Sequence, residues 1–148
     1  MQEKIELYLD TGMTQIETTK LLVKKVESSI EYLSYNIERY DAPVVMLLIY
    51  TDEDISDSLN RHMRLTDALK TVEINQAYFN FVFLPFTELE DSHFFILNEE
   101  RYKLGKVKHY YYYDVLPPKV YNYYNLINSY LFKIIEGKKE KEEKSETP

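Results

Sequence analysis

The 148-residue chain predicts an α+β fold, a central and mainly antiparallel sheet flanked by helices. Three observations carry this. An unbroken apolar run, Val44 to Ile49, is opened by Pro43 and closed by the acidic segment 51–57, the signature of a central strand buried on both faces. The stretch AYFNFVFLPF (77–86) is dense in aromatic and β-branched residues, and HFFIL (93–97) follows it after a polar turn, which reads as a hairpin. Amphipathic stripes lie before and after these strands.

Residues 1–9 are short and amphipathic, enough for a helical turn or two, and Asp10, Thr11 and Gly12 break the pattern. Thr14 with Glu17 three residues on is a capping box that starts a long helix over about 14–40. Its apolar positions are Ile16, Val23, Val26, Ile30, Leu33, Ile37 and Tyr40, with Thr19 in the gap. The three–four alternation is a heptad stripe, which either packs on the sheet or supplies part of a dimer seam. The first strand follows, about 43–50. Residues 56–74 read as a second helix with Leu59, Met63, Leu65 or Thr66, Leu69 and Val72 on one face, capped by Ser56 or Asp57. The hairpin spans 77–97, and a polar connection (98–106) leads to a strand at 107–115. Pro118 suits the first turn of a last helix, about 118–136, with Gly137 at its end. The charged segment 138–148 reads as a disordered tail, leaving one domain over 1–137.

A formal charge of −7 opposes a nucleic-acid footprint and an anionic membrane surface. No apolar run approaches the roughly 18 residues of a membrane span, and the start lacks a signal-peptide pattern. Zero cysteines excludes disulfides, thiolate metal sites and a cysteine nucleophile, and is compatible with the cytoplasm. Three glycines leave nothing from which to build a glycine phosphate cradle. Asp52, Glu53, Asp54 and Asp57 lack EF-hand spacing; Asp52 and Asp54 are weak metal candidates beside the plainer reading of a solvated capping turn. His62, His93 and His109 have no ligand spacing. Fifteen tyrosines are too many for one small core. Tyr110 to Tyr113 alternate faces in a strand, and Tyr121 and Tyr130 lie off the stripe of the last helix. Tyr111, Tyr113, Tyr121 and Tyr130 are therefore candidates for a protein-binding face, the alternative being a compositional bias toward tyrosine.

Several segments together resemble the GGDEF domain of diguanylate cyclases, a bacterial signalling family, in a degenerate form truncated in its last third. DTGM (10–13) stands where that family has D-x-L-T-G-L. YDAPVVMLLIYTD (40–52) is similar to its helix end, proline and first strand. HMRLTDAL (62–69) resembles its G-H-x-x-G-D-x-x-L helix, and EDSHFFIL (90–97) falls at its signature hairpin, with Phe94 on the signature phenylalanine. The resemblance implies a nucleotide-cyclase-like sheet, with a further helix between hairpin and next strand for which residues 98–106 leave room only for a loop.

The family joins two GTP molecules with the help of two carboxylate-held metal ions. Here the first metal-binding aspartate would fall at Tyr50 and only the second, Asp52, survives. The signature glycines would become Glu90 and Asp91, and the acidic pair Ser92 and His93. The product-inhibition motif R-x-x-D would need an arginine near residue 82, and none lies between Arg64 and Arg101. The expectation is an inactive GGDEF-like domain without cofactor, not an enzyme, serving as a regulatory or interaction module with another protein or itself as partner. The alternative is a nucleotide sensor that binds GTP or cyclic di-GMP through Asp52, Asn60 and His62.

Overall fold

The structure, a computed structural model, describes residues 9–146 and side chains through residue 142. The expected turns over residues 1–9 lie outside that range apart from Leu9. The elements are α1 (Gln15–Tyr40), β1 (Val44–Thr51), α2 (Ser56–Arg61), β2 (Ala68–Ile74), β3 (Ala77–Pro85), α3 (Leu89–Glu100), a 3-10 turn (Leu104–Lys106), β4 (His109–Val115) and α4 (Tyr123–Glu146). The strands form one sheet in the order β2-β3-β1-β4, antiparallel at every pairing. The fold class expected from the sequence is therefore the observed one.

β1 is the centre of the sheet and is buried along its whole length. Its alternate side chains serve two cores. Val44, Met46, Leu48 and Tyr50 face α1 and α4, while Val45, Leu47 and Ile49 face α2 and α3. A strand covered on both faces needs no polar alternation, which is why it reads as one apolar run.

α1 begins as expected, with Thr14 Oγ1 accepting the Glu17 amide at 3.0 Å and donating to Glu17 Oε1 at 3.0 Å. It ends on Asp41 in the left-handed conformation (φ +52°), whose amide returns to the Ile37 carbonyl. The heptad stripe is corrected. The buried residues are Thr18, Thr19, Leu22, Val26, Ile30, Ser34 and Ile37, while Ile16 and Tyr40 are exposed. Steps of mostly four are what a straight helix of 3.6 residues per turn needs against a sheet, whereas a strict heptad requires supercoiling. Gln15 Nε2 donates to Asn128 Oδ1 at 2.7 Å and ties α1 to α4.

The hairpin is displaced from its expected position. It consists of β2 and β3, and its two-residue turn is Asn75–Gln76, both at positive φ (50° and 68°), as a type I′ turn requires. The helix expected over 56–74 is only α2, since residues 68–74 are a strand. HFFIL is not a strand but the middle of α3, which buries Ser92, Ile96 and Glu99. A short apolar run does not separate strand from helix by itself. α3 also supplies the helix between hairpin and next strand that the resemblance implies.

The last helix starts five residues later than expected, where Asn122 Oδ1 accepts the Asn125 amide at 2.9 Å. It passes through Gly137 rather than ending there and continues to Glu146. Residues 138–146 are thus helical, not a disordered tail, and Lys138 is buried. Among the described residues no helix is long and apolar enough to cross a membrane.

Candidate functional site

Tyr50, where the resemblance places the first metal aspartate, is 4% exposed. Its hydroxyl donates to the Leu9 carbonyl at 2.5 Å and lies 3.2 Å from Asp10 Oδ2. Burial first, then the Asp10 carboxylate, pushes the phenol well above its ordinary value. Lys138 Nζ lies 3.1 Å from the same Asp10 oxygen. Asp52 is exposed, and Asp54 Oδ1 accepts the amide and hydroxyl of Ser56 at 2.9 and 2.7 Å, which lowers its carboxyl below the usual range. No group of three metal-ligating side chains occurs among the described residues.

The turn between β2 and β3, Asn75 and Gln76, contains neither glycine nor carboxylate, and residues 90–97, where the resemblance put the signature hairpin, are helical. Asn75 Nδ2 instead donates to the Thr11 carbonyl and docks the turn on the DTGM segment.

Moving the hairpin reveals what the sequence reading missed. Just upstream of β2 stands Arg64-Leu65-Thr66-Asp67, an R-x-x-D. Asp67, whose side chain is 1% exposed, accepts the Arg64 amide at 2.8 Å and closes a local turn with the Asp67 amide on the Arg64 carbonyl. It also accepts the guanidinium through Nε at 3.1 Å and Nη2 at 2.8 Å. Nη2 further donates to the Pro85 carbonyl at 2.9 Å and Thr87 Oγ1 at 2.7 Å. A forked, charge-assisted pair of this kind is directional, and it fixes the guanidinium plane while using none of the Nη1 donors. The available signal was the β-branched run ALKTVEI before Asn-Gln and a second strand, which marks a hairpin that begins just after Arg64–Asp67.

A cavity of about 320 Å³ opens on this pair, lined also by His62, Phe86, Asp91 and Phe95. Phe86 is 67% exposed and sits at φ +56°, a conformation that costs a bulky side chain of order 1–3 kcal/mol and clusters at ligand clamps. Its amide donates to the Pro43 carbonyl at 2.6 Å, which holds the backbone there. A larger cavity, about 550 Å³, is also lined by His62. The His62 ring stacks on Tyr102 with centroids 4.5 Å apart. Its Nδ1 is 2.6 Å from Oε1 of the fully buried Glu99, although neither atom makes an in-line hydrogen bond. Burial raises the Glu99 carboxyl, while His62 and Ser58 act against that rise.

Of the expected nucleotide residues Asp52, Asn60 and His62, only His62 lines these cavities; Asn60 and Asp52 are exposed. Of the expected interaction residues, Tyr121 is 84% exposed. Tyr111 and Tyr113 are half-buried and stacked on β4, with Tyr113 Oη 3.0 Å from His93 Nδ1. Tyr130 is corrected: it is 2% exposed, with its hydroxyl donating to the Met46 carbonyl at 3.2 Å. It lies off the stripe read from the sequence because α4 packs on both β4 and α1, and the wider contact buries a wider face.

No family model matches the chain, and no curated protein matches it. Among solved structures the chain is similar to the crystal structure of PelD, from position 158 to its C terminus, of Pseudomonas aeruginosa PAO1. The identity is 16% and the TM-score 0.46, over 66% of this chain and 41% of that one. The chain therefore spans less than half the length of the structure it matches.

Proposed function

We propose that this chain is a non-catalytic, GGDEF-like regulatory domain that binds a guanine nucleotide, with cyclic di-GMP the first candidate, at the Arg64–Asp67 pair. The observation that carries the reading is the R-x-x-D immediately ahead of the hairpin, with its guanidinium held over a cavity beside an exposed phenylalanine. The Nη1 donors of Arg64, which the Asp67 fork leaves unused, can meet the O6/N7 edge of guanine, an edge that arginine recognises, and an aromatic ring offers a stacking surface for the base. The reading of no catalysis rests on Tyr50 in place of the first metal aspartate and on the hairpin turn Asn75–Gln76, which has neither glycine nor carboxylate.

The interaction-module reading gains support from α3. Leu89, Phe94 and Leu97 are exposed on it by 41%, 66% and 42%, and Phe95 lines both the Arg64 cavity and a hollow under Phe94 and Leu97. A ligand that moves Phe95 would alter this apolar face, the route by which binding could reach a protein partner.

Thermal unfolding with and without cyclic di-GMP, GTP and Mg²⁺ tests the proposal. Ligand at about 100 times its dissociation constant stabilises by about 2.7 kcal/mol, which raises the midpoint by several degrees at roughly 2–4 °C per kcal/mol. A rise with a guanine nucleotide that does not need Mg²⁺ is expected. No rise with any nucleotide would overturn the proposal and leave the α3 face as the functional surface.

A further inference from the structure

His62 lines both cavities, which differ in charge. The smaller holds Arg64 with its partner Asp67, and is otherwise aromatic and apolar apart from Asp91 and Thr87. The larger gathers three cationic side chains from two separate segments, Arg61 at the end of α2 and Lys103 and Lys106 in the turn before β4. Asp54 and Asp57 also line it. Asp54 is occupied by Ser56, and Lys103 is 3.6 Å from Glu53 across an exposed pair. The lining thus sets three cationic groups against the two carboxylates, with Glu53 on Lys103, in a chain whose total formal charge is −7.

His62 is the hinge between these halves and is held from two directions. Glu99, wholly buried, meets Nδ1 from α3, and Ser58 donates to the other Glu99 oxygen at 3.4 Å. Tyr102 covers the ring face. A buried carboxylate is costly unless it is paired and hydrogen-bonded, and its Oε1 lacks an in-line donor. With Nδ1 turned to Glu99, Nε2 is the ring nitrogen left for a ligand that passes between the cavities.

We infer that the two cavities lined by His62 form one bipartite site, which takes a purine base at Arg64 and Phe86 and the attached phosphate at Arg61, Lys103 and Lys106. This rests on the base site proposed above and names what lies next to it: the ligand is a guanine nucleotide whose phosphate ester is recognised, not a free base or nucleoside. The anion sits against lysines on the turn 102–106, so binding couples α2 to the segment that leads into β4.

The test is calorimetric titration of the full chain with guanosine, 5′-GMP and cyclic di-GMP, repeated for Arg64→Ala and for the double variant Lys103→Ala/Lys106→Ala. Both lysines are exposed, so the double variant keeps the fold. The phosphate-bearing ligands should bind the wild-type chain at least about tenfold tighter than guanosine, the scale of one charge-assisted hydrogen bond. The double variant should lose that advantage and keep its guanosine affinity, whereas Arg64→Ala should weaken all three. Phosphate ligands that bind the double variant as tightly as wild type would overturn the bipartite site and leave the base site standing. Unchanged binding to Arg64→Ala, or no binding to the wild-type chain, would overturn the base site and the inference with it.

Discussion

Lys138 Nζ stands 3.1 Å from Asp10 Oδ2 and 5.6 Å from the centre of the Tyr50 ring. An ammonium group of the protein's own thus sits at the end of β1 where the resemblance implies a metal-binding aspartate. Tyr110 adds a second ring at 6.0 Å. The contact closes α4 onto the segment that precedes α1, and it explains why a lysine beyond Gly137 is buried. Lys138→Met should lower stability by roughly 1–2 kcal/mol through loss of the cation–π and carboxylate contacts, measured by urea unfolding. An unchanged midpoint would show that the contact contributes nothing.

Tyr50 gives a pH prediction. Its folded hydroxyl is held well above the ordinary 10.0, chiefly by burial. The folded state therefore keeps a proton that the unfolded state releases once pH exceeds that value. The contribution is fully present below about pH 10 and is lost as pH climbs above it. Tyr50→Phe should cost about 1 kcal/mol at neutral pH and flatten the alkaline fall in stability. Parallel alkaline profiles for the variant and the wild-type chain would contradict the assignment.

Tyr121 and Tyr130 separate surface from core. Tyr130→Ala should cost about 3–5 kcal/mol, as for other large core truncations. Tyr121→Ala should stay within about 0.5 kcal/mol. Equal effects in denaturant unfolding would refute the packing of α4 on β1.

The hairpin turn contains removable strain. Gln76 stands at φ +68°, where glycine pays no steric penalty. Gln76→Gly should raise stability by up to about 1 kcal/mol, read as a higher thermal midpoint. A lower midpoint would mean that the Gln76 side chain has a role of its own.

The central strand was legible because a run from Val44 to Ile49 buried on both faces has one meaning. α1 was legible because Thr14 and Glu17 mark its start. Residues 62–74 were not, because Leu65, Leu69 and Val72 mimic helical spacing. In the fold Leu65 is fully exposed, and pairing of Val72 with Phe79 and of Ala68 with Phe83 decides for a strand. That displacement hid the candidate site: with the hairpin sought at 77–97, Arg64 and Asp67 stood far from where the inhibitory motif was expected. The His62–Glu99 contact joins the residue that caps the end of α2 to α3 and leaves no local mark in the sequence. Tyr130 failed as a surface residue for the same reason, since the breadth of the buried face on α4 is set by tertiary packing.

The measurement that bears most directly on the account is calorimetric titration of cyclic di-GMP into the wild-type chain and into Arg64→Ala, with Asp52→Ala as control. The account predicts saturable binding to the wild-type chain, a loss of at least about tenfold in Arg64→Ala, and no change in Asp52→Ala. Binding that survives in Arg64→Ala but falls in Asp52→Ala would contradict it, because the ligand would then sit at the end of β1 and not at the Arg64–Asp67 pair.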